Sequence, residues 1–249
     1  MLRSVAAATR EAFGASFLEA AASGGAAAAL AARQERLAAL RELVDRVQLS
    51  DFGGGVLGAP GDAPGDAPGD APLAVTYQHV GAGPAFSMGV FVIPPKGVIP
   101  LHSHPEMCVF STLLYGDLRV RCFDFEDDHA AAVAAMRAGG EARAAVSERL
   151  LRAGDDAAAE SEAASTVMPE VGNLHEFYSP SGCAVFDVIA PPYDDDAGRS
   201  CVYYRPAQRA ADSDSASAGA DGTVALREWP EEAVPFVVLG GPPLTHLTD

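Results

Sequence analysis

Two histidines one residue apart, His102 and His104, sit in the apolar run Ile99-Pro100-Leu101-His102-Ser103-His104-Pro105-Glu106-Met107-Cys108-Val109-Phe110, which otherwise reads as β-strand. Residues i and i+2 of a strand share a face about 6–7 Å apart, so both imidazoles can reach one metal ion. Gly116, in Leu114-Tyr115-Gly116-Asp117, supplies a turn into a second alternating strand, Leu118-Arg119-Val120-Arg121-Cys122-Phe123. A third histidine, His175, precedes another strand-like run in Gly172-Asn173-Leu174-His175-Glu176-Phe177. A His-x-His pair also arises by chance, but the spacing, the turn glycine and the third histidine together favour a metal site. Glu106 is the rival fourth ligand, since it would share the histidines' face in an uninterrupted strand. Pro105 argues against it, because proline bends or ends a ladder. His79, His129 and His246 lack such a setting and are expected on the surface or in loops.

The fold class follows from the rest of the pattern. From Leu73 onward short strands broken by Gly and Pro recur at 74–77, 86–93, 118–125, 165–168, 175–178, 183–189 and 201–205, which implies a mainly β sandwich or barrel. Before them, Leu30, Leu37, Leu40, Leu43, Val44 and Val47 recur at three- and four-residue steps and predict N-terminal helices packed on the barrel. The expected organisation is a helical segment over 1–50, a linker over 51–72, a core over 73–206 with an insertion at 127–164, a second linker over 207–222 and a C-terminal extension over 223–249. In the first linker Gly-Asp-Ala-Pro repeats from Gly61 through Pro72, an exposed tract with little apolar surface to bury. Its aspartates match no EF-hand loop. In the insertion Val133, Met136, Val146, Leu150 and Leu151 predict one or two short helices, and Phe236-Val237-Val238-Leu239 predicts an edge strand.

Charge narrows the partners. Asp and Glu outnumber Lys and Arg 34 to 17, and a net charge of −17 without a compact basic patch repels nucleic acid and anionic membrane. No run approaches the roughly 18 apolar residues of a membrane span, and the start lacks a secretory h-region, so a cytoplasmic or nuclear location is expected. Arg3, Ser4 and Arg10 resemble the start of an organellar transit peptide, against which Glu11 and Glu19 weigh. Cys108, Cys122, Cys183 and Cys201 have no CxxC spacing and read as free thiols.

The two histidines, the glycine and the later histidine resemble the layout of a cupin metal site, in which the usual glutamate position, counted back from Gly116, would fall on Val109. The ligand set is then three histidines. Three neutral imidazoles leave up to three adjacent positions open on an octahedral ion, so a substrate and O2 can bind together, as at non-haem Fe(II) sites built on two His and a carboxylate. Replacing the acid with His makes the site more positive and favours an anionic donor such as thiolate.

The run 99–107, Leu114-Tyr115-Gly116, Gly172-Asn173-Leu174-His175, Cys183-Ala184-Val185-Phe186-Asp187-Val188 with Pro191-Pro192-Tyr193, and Gly198-Arg199-Ser200-Cys201-Val202-Tyr203-Tyr204-Arg205 follow one another in an order that resembles the plant cysteine oxidases and the related 2-aminoethanethiol dioxygenases. The resemblance implies a cupin double-stranded β-helix, a jelly-roll barrel, that holds Fe(II) on His102, His104 and His175. It implies a thiol dioxygenase that adds both atoms of O2 to sulfur, giving a sulfinic acid. The implied substrate is the N-terminal Cys of a peptide or protein, whose oxidation commits it to the N-degron pathway and so senses oxygen. A monomer is expected.

Asp187 and Tyr193 are the candidate catalytic residues. Asp187, on a strand twelve residues after His175, either hydrogen-bonds a ligand His or receives the substrate's α-ammonium, unless it is a structural buried acid. Tyr193 either aims its hydroxyl into the site or packs its loop. Cys201 and Tyr203 are, by resemblance, candidates for a Cys–Tyr thioether, against ordinary packing. Glu106 stands where the family often has a small residue. Two further readings share the same ligands: a cysteamine dioxygenase acting on the free small thiol, and a metal-binding cupin without catalysis.

Overall fold

The alternation from Val75 onward builds two mostly antiparallel sheets. The computed structural model describes residues 1–14, 26–53, 74–153, 163–169, 171–207 and 221–244, without the side chains of 26–30. The Gly-Asp-Ala-Pro tract, the Leu30 side chain, His246 and most of the second linker lie outside the described residues. The strands are β1 (Val75–Gly83), β2 (Phe86–Ile93), β3 (Val98–Ser103), β4 (Cys108–Phe125), β5 (Ala142–Arg152), β6 (Ala164–Val167), β7 (Leu174–Tyr178), β8 (Cys183–Ala190), β9 (Tyr203–Pro206), β10 (Thr223–Trp229) and β11 (Val238–Gly240). One sheet runs β11-β1-β2-β8-β4-β6; the other runs β4-β5-β10-β9-β3-β7, and β7 pairs back onto β4.

β4 belongs to both sheets. Its residues 108–116 pair with β8, and its residues 117–125 pair with β5. Gly116 marks the crossing and is not the turn expected from sequence: the strand continues through it for 18 residues, with an irregular register between Leu113 and Tyr115. The same physical need, a residue at φ +81, is met by glycine in a turn and in a kinked strand alike. A Cβ at Gly116 would also collide with the Gly182 carbonyl oxygen.

The two sheets share a core. Val75, Ile93, Cys183 and Val185 from the first sheet pack with Leu118, Val120, Leu151 and Phe177 from the second, which makes the architecture the expected double-stranded β-helix. The opposite side of the first sheet is covered by the N-terminal helices, α1 (Leu2–Phe13) and α2 (Ala26–Asp45). α1 buries Leu2, Val5, Ala6, Thr9 and Ala12 at helical spacing. α2 and the turn after it add Leu40, Val44, Val47 and Phe52, packed on Met88, Val90, Phe110, Phe186 and Val188. Phe52 meets Phe186 edge-on at 5.5 Å, and its full burial contributes about 2–3 kcal/mol. Arg41 ties α2 to the barrel through the carbonyls of Ser165 (2.8 Å) and Ser111 (3.1 Å). No helix among the described residues is long and apolar enough to cross a membrane.

The insertion is only half helical. α3 (His129–Arg137) is capped by Asp128, whose carboxylate accepts from the Ala131 N–H at 3.0 Å. Val146, Leu150 and Leu151, expected in a helix, lie instead on β5, paired along β4. Pairing with an already formed neighbour overrides the helical preference of an Ala- and Glu-rich segment. The C-terminal extension enters the sheets: β10 lies between β5 and β9, and β11 runs parallel to β1 at the edge. The four cysteines are free thiols.

Gly116→Ala should cost about 3 kcal/mol or more in urea unfolding, because steric collision adds to the roughly 1–2 kcal/mol of left-handed strain. Gly139→Ala, at φ +84 but facing open space, should cost the strain alone. Equal losses would contradict the crossing role of Gly116.

Candidate metal centre

His102 is the next-to-last residue of β3 and faces His175 on β7 and Tyr203 on β9 in the strand register. His104 lies just past the end of β3, in the turn that Pro105 forces, where Asn173 clamps its backbone: the Asn173 Oδ1 accepts from the His104 N–H (3.2 Å) and the Asn173 Nδ2 donates to the His104 carbonyl (2.6 Å). The pair therefore reaches one point through a strand end and a clamped turn, not through one continuous strand. His104 Nε2 lies 3.1 Å from both His102 Nε2 and His175 Nε2. Among the described residues these three are the group of side chains able to hold one metal ion.

The second ring nitrogens decide the tautomers. His102 Nδ1 lies 2.8 Å from the Pro100 carbonyl, to which it donates its proton. The Tyr193 hydroxyl donates to the Ser103 carbonyl at 2.9 Å, so its oxygen is free to accept the His104 Nδ1–H at 2.8 Å. Both arrangements leave Nε2 with a lone pair aimed inward. Burial pushes the His102 pKa down to about 4. Burial, and then the charge of the neighbouring imidazoles, holds His104 and His175 well below the usual histidine range. Near neutral pH the lone pairs of His102 and His104 thus meet at hydrogen-bond distance with no proton between them, an arrangement that repels itself unless a cation is shared, and His175 Nε2 stands at the same 3.1 Å while its Nδ1 is buried without a hydrogen-bond partner. The residues fit a metal, and imidazole donors suit iron, zinc, copper or nickel.

Glu106 is exposed on the turn at φ 59 and takes no part. His79 is exposed on β1 and His129 opens α3 against the Phe125 ring. Asp187 is buried on β8, opposite Ser111 of β4, whose hydroxyl hydrogen-bonds it; its Oδ1 has no hydrogen-bond partner. Burial raises its pKa to about 6, with Ser111 and the charge of Arg41 pulling the other way. No hydrogen bond joins Asp187 to a ligand histidine among the described residues: Tyr193 orients His104 instead. The Cys201 thiol lies within hydrogen-bonding reach of the Tyr193 and Tyr203 hydroxyls, and burial raises all three pKa values. Asn173 escaped sequence reasoning; its signal was an amide at the mouth of a strand two residues before a ligand.

A family model described as PCO_ADO, for the plant cysteine oxidases and 2-aminoethanethiol dioxygenases, matches residues 43–242. The chain belongs to this family. Plant cysteine oxidase 2 of Arabidopsis thaliana is 35% identical over 198 residues, covering 80% of this chain and 65% of that protein. The 2-aminoethanethiol dioxygenase of Homo sapiens is 32% identical over 167 residues, covering 59% and 58%. The chain thus spans less than two thirds of these PCO_ADO relatives. Among solved structures, an oxalate oxidase in complex with the substrate analogue glycolate is similar at a TM-score of 0.35 and 18% identity, covering 63% of this chain and 68% of that one. An RmlC-like cupin from Shewanella frigidimarina gives a TM-score of 0.33 and 17% identity, covering 50% and 88%.

The buried carboxyl of Asp187 has a pH signature in the metal-free protein. Its folded pKa lies above the unfolded value, so its contribution to stability is present below about pH 4 and is lost as pH rises through about 6. Asp187→Asn removes that slope and should gain on the wild type by up to about 3 kcal/mol between pH 4 and pH 8. Parallel stability curves would mean that Asp187 is not held in an apolar setting.

Proposed function

We propose that this chain is an Fe(II)-dependent thiol dioxygenase that oxidises the N-terminal cysteine of a peptide or protein to cysteine sulfinic acid. The observation that carries the reading is the buried convergence of three neutral imidazole Nε2 atoms without a carboxylate among them. His102, His104 and His175 would hold the ion, which when bound lowers the thiol pKa and brings thiolate and O2 together. Tyr193 keeps His104 in the ligating tautomer. Asp187, ionised near neutral pH, receives the substrate's α-ammonium on its unpartnered oxygen. The balance is R–SH + O2 → R–SO2H: both oxygen atoms join sulfur, the thiol proton ends on the sulfinic acid, and no outside reductant is consumed. Cys201 and Tyr203 are the pair that a thioether would join, detectable as a chain lighter by two hydrogen atoms.

The relatives' names, cysteine oxidase and 2-aminoethanethiol dioxygenase, share an amine two carbons from a thiol. That common element supports an ammonium site near the metal. It also favours the second reading, turnover of free cysteamine. On the first reading the product marks a regulatory protein for the N-degron pathway and the enzyme, a monomer of the cytoplasm or nucleus, reports oxygen.

Mass spectrometry of the iron-loaded protein with isotopically heavy O2 tests this. A peptide starting with Cys and followed by basic residues should take up two heavy oxygen atoms on that residue, faster than free cysteine or cysteamine reacts. The acidic chain, net charge −17, should favour such a peptide less as salt rises. Label drawn from water would refute dioxygenase chemistry, and efficient cysteamine turnover without peptide turnover would replace the peptide reading by the small-thiol one.

A further inference from the structure

The inner face of the first sheet carries a polar row across otherwise apolar strands. Val75, Ile93, Cys183 and Val185 define that face, since all four lie in the core between the sheets. Two-residue alternation then places Tyr77 of β1, Gly89 of β2 and Asp187 of β8 on it. Gly89 and Asp187 are direct cross-strand partners, with side-chain positions about 4.5–5.5 Å apart.

Gly89 has no side chain, and the Tyr77 ring occupies the space. A Cβ built on Gly89 would collide with Cε2, Cζ and the hydroxyl oxygen of Tyr77. The ring is held there by Phe91, with centroids 4.9 Å apart. The Tyr77 ring and its hydroxyl thereby lie over the strand position directly across from Asp187, whose Oδ1 is buried without a partner. Asp187 acts electrostatically on Tyr77 and on Tyr193, which bonds His104. Tyr77 is half-buried. Burial raises its pKa, which keeps the phenol neutral.

Resting on the reading of Asp187 as ammonium acceptor, we infer that Tyr77 is a specificity residue of the same site: its hydroxyl oxygen and the Asp187 carboxylate together hold the α-ammonium of an amino-thiol substrate. Gly89 is the glycine that admits the ring. An ammonium group presents three N–H donors, and one carboxylate oxygen leaves donors unmet that the phenol oxygen can take.

The test is an anaerobic titration, which reads binding without turnover, of a Cys-initiated peptide and its N-acetylated counterpart into the iron-loaded wild type and Tyr77→Phe. Loss of one hydrogen bond to a charged group should weaken the free-amine peptide about tenfold in Tyr77→Phe and leave the acetylated one unchanged, with iron content and melting temperature retained. Gly89→Ala, which must displace the ring, should show the same selective loss in its folded, iron-loaded fraction. Equal affinities of wild type and Tyr77→Phe for the free-amine peptide would overturn the role of Tyr77 alone, provided the wild type prefers that peptide to the acetylated one. A wild type that does not distinguish the two peptides would instead overturn the ammonium reading of Asp187, and Tyr77 with it.

Discussion

Three imidazoles can be buried side by side at hydrogen-bond distance only if each stays neutral. Here the Pro100 carbonyl and the Tyr193 hydroxyl take the Nδ1 protons of His102 and His104, so the lone pairs left at those two Nε2 atoms must face one another. Much of the surrounding structure serves that arrangement. Asn173 fixes the turn that carries His104, the Arg199 side chain donates to the Pro192 carbonyl and steadies the loop that carries Tyr193, and pairing of β3 with β7 sets His102 against His175.

Division of labour between the sheets follows from strand alternation. In β8, Cys183, Val185 and Asp187 face the interior, while Ala184, Phe186 and Val188 face the N-terminal helices. The helices cover the outer face, and the inner face is thereby left to combine core packing with polar groups. Arg41 reaches the backbone of Ser111 from outside while the Ser111 hydroxyl meets Asp187 inside, so α2 is coupled mechanically to the strand beside the buried acid.

Sequence reading recovers the parts that depend on local pattern. β2 and β8 appear as alternating or continuous apolar runs, and the histidine triad is visible because two members stand one residue apart and the third opens a strand-like run. What it loses depends on neighbours. Gly116 reads as a turn because a positive φ alone does not distinguish a reversal from a strand crossing between sheets. The segment from Ala142 reads as helix because its residues favour one in isolation, and the nine-residue pairing with β4 reverses that. Asp187 is recognisable as an unusual buried acid, but which histidine is oriented by which group depends on a loop and a turn that meet only in three dimensions; Tyr193 holds that place.

Metal stoichiometry tests the central claim most directly. The purified protein, reconstituted with Fe(II) under anaerobic conditions, should bind one iron per chain; each of His102→Ala, His104→Ala and His175→Ala should lose at least about 10–100-fold in affinity, and His79→Ala and His129→Ala should bind as the wild type does. Full iron occupancy in a folded His175→Ala variant would contradict the three-histidine centre.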